Sequence, residues 1–313
     1  MKKFFSFVAA FVAVATVFSC SKNNDIAPVE ESVQVRFSVE VPAEQLTKTI
    51  GNGTYANVLD FAVYLDGTYL PKMEAASNAE VTLLEEGKWS VVLTLVKNLK
   101  YDVVFWAHAQ EAPYTFNKAK AQIVVDNYTS AANSDLRDAF YKCINGYVAT
   151  EEPVEADLTR PFAQINVGAD DYNPFITDLG IKMTSKIDTK AVATVTVPNV
   201  LNVLDGSVSG AAQLDFALAS IPYETGDKTL VTYNNVEYSW VSMNYVLAGA
   251  EQTLSTLKAT FHYNAQDLEI NVANVPYKRN YKTNILGSLF TQSSEFQVVI
   301  VPNFDGTLLP SNN

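Results

Sequence analysis

Between Ser32 and Val41 apolar and polar residues alternate without a break, with Val33, Val35, Phe37, Val39 and Val41 set against Ser32, Gln34, Arg36, Ser38 and Glu40. A two-residue period is what a strand with one buried face requires, because successive side chains point to opposite sides of a sheet. A helix would scatter the same five apolar side chains around its circumference. Pro42, which has no N–H to continue a ladder, ends the run.

Further strand signals follow at Val58–Tyr64, Trp89–Leu95, Tyr101–Ala107 and Ala121–Val125, separated by turn chemistry at Asp66-Gly67, Glu86-Gly87 and Asn127. Ser134–Cys143 has helical spacing, with Leu136, Phe140 and Cys143 on one face and Asn145-Gly146 as a stop, so one short helix is expected there. Four carboxylates and Pro153 crowd into 151–157, and a strand restarts at Phe162–Val167. Beyond it, strands are expected near Asp178–Thr184, Ala191–Val197, Gly210–Leu218, Thr229–Asn234, Tyr238–Val246, Thr253–Tyr263, Leu268–Val272, Asn280–Leu289 and Phe296–Val301. The expected fold class is all-β, as two antiparallel β-sandwich domains over 32–157 and 158–313, with the short helix in the first.

The N-terminus carries an address. Lys2 and Lys3 precede an apolar stretch from Phe4 to Phe18 that is too short for a bilayer core needing about 20 residues, so 1–19 reads as a signal peptide. Val17-Phe18-Ser19-Cys20 resembles a bacterial lipobox, in which Cys20 takes a diacylglyceryl thioether and the signal is cut before it. Several acyl chains anchor far more firmly than one. Residues 20–31 are polar and aperiodic and read as a lipidated tether, whose eleven residues after Cys20 span at most about 40 Å. Cys143 is then left alone, and a buried, inert thiol is expected.

Little in the rest of the chain points to chemistry. Twenty-two basic residues against 34 acidic ones give a net charge of −12, without a run of Lys or Arg to form a nucleic-acid groove. The acid pairs Glu85-Glu86, Glu151-Glu152 and Asp170-Asp171 stand in turn-like contexts that favour solvated charge over a glycosidase pair. Ser255-Thr256-Leu257-Lys258 has S-x-x-K spacing but lies in a β-type run, where the Lys is not one helical turn from the Ser. His108 and His262 have no second ligand at metal spacing and read as strand-surface residues. Gly51-Asn52-Gly53 leads into a strand and so is no phosphate loop. The expectation is a non-enzyme without metal or cofactor. The abundant aromatics, 16 Tyr and 17 Phe among them, leave room for sugar-stacking platforms.

The lipobox, the tether, the alternating strand and then Leu46-Thr47-Lys48-Thr49-Ile50-Gly51-Asn52-Gly53 leading into Leu59-Asp60-Phe61-Ala62-Val63-Tyr64 resemble the fimbrillin family of Bacteroidetes lipoproteins. Leu158-Thr159-Arg160-Pro161-Phe162-Ala163-Gln164-Ile165-Asn166-Val167 is similar to the segment opening that family's second domain, and 197–206 to its later P-x-x-x-N-x-L-x-G stretch. The strongest match is the V-P-x-x-R-N-x-x-T-x-I-x-G block at 275–287. The resemblance implies two transthyretin-like sandwiches and a fimbrial subunit delivered to the outer membrane as a lipoprotein. It also implies a cut by a trypsin-like protease between Lys48 and Thr49, which frees the strand bearing Val33, Val35, Phe37, Val39 and Val41. Another subunit's strand then fills the groove, as in donor-strand complementation. Phe296, Val298 and Ile300 are the candidate donor, although Pro302 interrupts the run. The implied partners are other subunits, the protease, outer-membrane lipid through Cys20, and a host or bacterial surface receptor. The alternative is a carbohydrate-binding outer-membrane surface lipoprotein that does not polymerise.

Overall fold

The computed structural model describes residues 31–42, 53–128, 134–172, 188–215, 219–220, 230–250, 252–263, 266–291 and 296–302. In chain order the first half contributes β1 (Ser32–Glu40), β2 (Val58–Leu65), β3 (Thr68–Tyr69), β4 (Ala79–Glu85), β5 (Lys88–Val96), β6 (Lys100–His108), β7 (Tyr114–Asn117), β8 (Gln122–Val125), β9 (Phe140–Val148) and β10 (Val154–Asp157). The second half contributes β11 (Phe162–Ala169), β12 (Asp188–Val197), β13 (Val200–Asn202), β14 (Val208–Ser209), β15 (Ala212–Asp215), β16 (Ala219–Ser220), β17 (Leu230–Tyr233), β18 (Val236–Leu247), β19 (Gln252–Tyr263), β20 (Gln266–Tyr277), β21 (Tyr281–Gly287) and β22 (Phe296–Pro302). The all-β, sandwich-type fold expected from periodicity is the fold observed. The strand expected at Asp178–Thr184 lies outside the described residues.

In the first half, a sheet of order β10-β1-β5-β4 faces one of order β3-β2-β6-β9. Val33, Val35, Phe37, Val39, Trp89, Val91, Leu93 and Leu95 from the first meet Phe61, Val63, Val103, Phe105 and Phe140 from the second in one core. β2 and β6 are buried on their other face as well, where Ala62, Tyr64, Val104 and Trp106 join a larger core with Phe162, Ile165, Val167, Leu201 and Tyr245. The second half builds sheets of order β17-β18-β11-β21-β22 and β15-β12-β19-β20. All eight residues of β11 are buried, between β18 on one side and the parallel β21 on the other.

The two halves also share a sheet. Its order is β14-β13-β8-β7, and β13 from the second half pairs antiparallel with β8 from the first, Val200 opposite Val124 and Leu201 opposite Ile123. The acidic stretch at 151–157 holds β10, which pairs in parallel with β1. Turn chemistry matches the sequence at Asp66 and Gly67, both with positive φ, which close the β2–β3 hairpin in the conformation that suits the strand twist.

The helix expected over Ser134–Cys143 is corrected. A single 3-10 turn spans Asp135–Arg137, where the Ser134 hydroxyl accepts from the Leu136 N–H, and the chain is extended again by Asp138. β9 then begins at Phe140 and pairs with β6, Trp106 opposite Tyr141 and Val104 opposite Cys143. Phe140 and Tyr141 enter the cores on opposite sides of their sheet, so a two-sided strand displaced the one-sided helical pattern. The expected stop, Gly146, is a positive-φ residue inside β9 whose N–H donates to Asp102.

Candidate functional site

The sequence feature with the clearest physical meaning, the alternating first strand, occupies an interior position. β1 pairs antiparallel with β5 from Ser32 opposite Val96 to Glu40 opposite Lys88, and in parallel with β10 from Phe37 opposite Val154 to Glu40 opposite Asp157. Val35, Phe37 and Val41 have no solvent exposure, and Val33 and Val39 are buried. The Phe37 ring lies 5.4 Å from that of Phe105 and 5.5 Å from that of Tyr147. On the outer face Arg36 donates to the Ser90 hydroxyl at 3.1 Å, and Glu40 stands 3.7 Å from Lys88. Lifting out residues 32–41 would leave a slot with the β5 ladder along β1's whole length, the β10 ladder along its second half, and five apolar pits along its floor. Cys20, Lys48 and Thr49 lie outside the described residues.

The candidate donor, β22, is an edge strand that pairs, among the described residues, with β21 alone. Val301 is buried and Val299 packs on the core, while Val298 and Ile300 are exposed and Phe296 is half-buried. Both faces of this strand are apolar.

The three second-half segments that carry the family resemblance converge. Arg279 donates from Nε to the Ala248 carbonyl at 3.1 Å, from Nη1 to the Tyr141 hydroxyl at 2.9 Å and from Nη2 to the Gly206 carbonyl at 2.5 Å. The neighbouring Asn280 N–H donates to the Phe162 carbonyl at 2.8 Å. Gly206 has φ +72°, and a Cβ there would stand 2.6 Å from the Tyr141 hydroxyl. Arg160, fully buried, forms a two-pronged ion pair with Asp138 at 2.6 and 2.7 Å and lies 4.5 Å over the Phe140 ring. These motif residues join second-half loops to β9 of the first half. Tyr141 and Asp138 were hidden inside the helical reading, and the only sequence sign of their role was the strand-prone Phe140-Tyr141 pair.

Other polar groups have structural partners. One His108 ring nitrogen is 3.1 Å from Asp60 and the other 2.8 Å from the Ala109 carbonyl, so this residue is tied rather than free on a strand surface. That hydrogen bond from His108 holds the Asp60 carboxyl below the usual carboxylate range, against partial desolvation and with help from Lys118. Lys118 also pairs with Glu74 at 2.7 Å. Glu85, Glu86, Glu151 and Glu152 are exposed, as expected of solvated pairs. Asp171 is not, and its position in the turn reading is corrected: it is buried and accepts from the N–H groups of Leu289, Phe290 and Thr291 and from the Thr291 hydroxyl. Lys258, inside β19 as its β-type context implies, pairs with Glu269. Cys143 is half-buried, donates to Asn145 at 2.8 Å, and has its thiol pushed up to about 12 by burial, which disfavours the reactive thiolate. Among the described residues no group of three or more His, Cys, Asp or Glu side chains is placed to hold a metal ion, and no helix is long and apolar enough to cross a membrane.

The structure is similar in fold to a candidate cell adhesion protein from Bacteroides ovatus, 9% identical, with 87% of this chain and 96% of that chain covered at a TM-score of 0.50. A candidate adhesin from Bacteroides ovatus covers 89% of this chain and 95% of its own at 11% identity and a TM-score of 0.42. A candidate cell adhesion protein from Bacteroides eggerthii covers 89% and 97% at 10% identity and a TM-score of 0.37. No curated protein matches the chain. One family profile covers residues 27–312, from the tether through β22, and the chain therefore belongs to that family, DUF6562, described as a family of unknown function.

Proposed function

We propose that this chain is a non-enzymatic structural or adhesive subunit of a cell-surface fimbria of the fimbrillin type. In this reading Cys20 holds the exported precursor at the outer membrane, and a trypsin-like protease cuts between Lys48 and Thr49. Release of β1 then opens its slot to a strand from a neighbouring subunit, with β22 as the donor candidate. The observation that carries the reading is the position of β1, interior to its sheet and apolar along one whole face, yet followed closely by the stretch that contains Lys48. A vacated slot of this kind exposes two strand edges and an apolar floor, which favours capture of another strand. Pairing of that sort is head-to-tail and extends into filaments when it does not close. The fold likeness to a candidate cell adhesion protein supports a role at the cell surface.

Limited trypsin digestion tests it. The expected product lacks residues 1–48 and forms a ladder of species that resists heating in detergent. A cut protein that stays monomeric at high concentration would overturn the assembly reading and leave a glycan-binding surface lipoprotein as the better description.

A further inference from the structure

Open sheet edges invite pairing with other chains unless they are short, charged or interrupted by proline. β10, one edge of its sheet, is protected in this way, since it is short, follows Pro153 and carries Glu155 and Asp157. The opposite edge among the described residues, β4, is seven residues long and has no Pro, and between its two carboxylates, Glu80 and Glu85, it exposes Val81 (43%), Leu83 (58%) and Leu84 (64%). Val81 stands opposite Val91 and Leu83 opposite Trp89, and both of those partners are buried in the core. Val81 and Leu83 therefore prolong the inner apolar face of the sheet past its covered part.

The phase of the ladder is fixed. The Thr94 N–H donates to the Asn78 carbonyl, so Asn78, Glu80 and Thr82 turn their backbone groups toward β5. Ala79, Val81 and Leu83 then present theirs at the open edge.

We propose that β4 pairs antiparallel with β4 of a second copy of this chain, across a two-fold axis at Thr82. An axis normal to the sheet keeps the inner face inward in both copies, so only residues of equal parity oppose each other. Centring on Thr82 sets Val81 against the partner's Leu83 as a hydrogen-bonded pair, twice by symmetry, and gathers their side chains into one apolar cluster. Glu80 lies at the end of the contact beside the partner's Leu84, which the register shift displaces, and no carboxylate faces another. A second copy fits because Val81-Thr82-Leu83 is complementary to itself in this register, apolar against apolar and hydroxyl against hydroxyl, with no glutamate set against another. The register shift between Leu83 and Glu85 ends the pairing at that side. Two four-stranded sheets become one, and β5 separates the junction from β1, so the contact does not depend on strand exchange.

Thr82 faces its own copy as a non-hydrogen-bonded pair, with Cα atoms about 4.5 Å apart, inside the range that a disulfide bridges. The test is oxidation of the full chain carrying Thr82→Cys, beside the unsubstituted chain, which reports on Cys20 and Cys143, and beside Val236→Cys, an exposed position that reports random collision. Covalent dimer from Thr82→Cys at tenfold or more above both controls is expected, and adding Leu83→Lys should bring it down to the control level without lowering the melting temperature. Equal yields from Thr82→Cys and Val236→Cys would overturn the pairing. Higher yield from Val81→Cys than from Thr82→Cys would overturn the Thr82-centred register.

Discussion

Replacing Phe37 by Ala tests whether the β1 slot is held by its apolar floor. Phe37 has no solvent exposure and touches both Phe105 and Tyr147 with its ring. Truncation of a buried Phe costs about 3 to 5 kcal/mol, of the roughly 7 to 15 kcal/mol gross that five buried side chains supply. In the intact chain this appears as lower thermal stability. In a chain cut after Lys48 the excised strand is held without a covalent bond, and the same loss acts on its escape. At 1.4 kcal/mol per tenfold, release of a labelled segment ending at Lys48 should be faster by about two to three and a half orders of magnitude. Fluorescence anisotropy during dilution into excess unlabelled peptide spanning 32–41 would follow it. Arg36→Ala is the matched control, since Arg36 lies on the outer face with one bond to Ser90, and surface changes of this kind stay within about 0.5 kcal/mol. If Phe37→Ala releases no faster than Arg36→Ala, the strand is retained by its two backbone ladders rather than by burial, and the reasoning fails.

Three further outcomes are expected. Arg160→Met should lose about 3 to 5 kcal/mol in urea unfolding because it leaves the Asp138 carboxylate buried and unpaired, whereas the Arg160→Met, Asp138→Leu double variant should lose less than the single one. Gly206→Ala should cost on the order of 1 to 3 kcal/mol, through its positive φ and the collision with the Tyr141 hydroxyl, and Tyr141→Phe in the same chain should recover part of it on a thermal melt. Asp60 has a folded-state pKa below its unfolded one, so its contribution is present above about pH 4 and fades as pH falls through the folded value. Melting curves between pH 2 and 6 should therefore show a shallower acid-side decline for Asp60→Asn than for the parent, and equal slopes would exclude this group as a source of acid lability.

What the sequence made legible divides by the range of the interaction that decides each element. β1 could be read from its own nine residues because one face of it is buried and the other is not. β4 could not, since the Leu83-Leu84 pair breaks alternation and β4 takes its form from β5 beside it. β9 was obscured by the same rule in reverse: with Phe140 and Tyr141 buried on opposite sides, it has no polar face, and the spacing of Leu136, Phe140 and Cys143 mimics a helix. The motif residues were visible as a pattern but their task was not, because Arg279 works on Tyr141, Gly206 and Ala248, which approach it only after the chain has crossed between sheets several times. A motif made of such residues marks where the two halves are fastened, and it carries information about the fold rather than about a ligand. The proposed strand release and edge pairing rest instead on the buried face of β1 and on the apolar residues exposed along β4 and β22, where local periodicity and exposure, unlike motif identity, make a measurable difference.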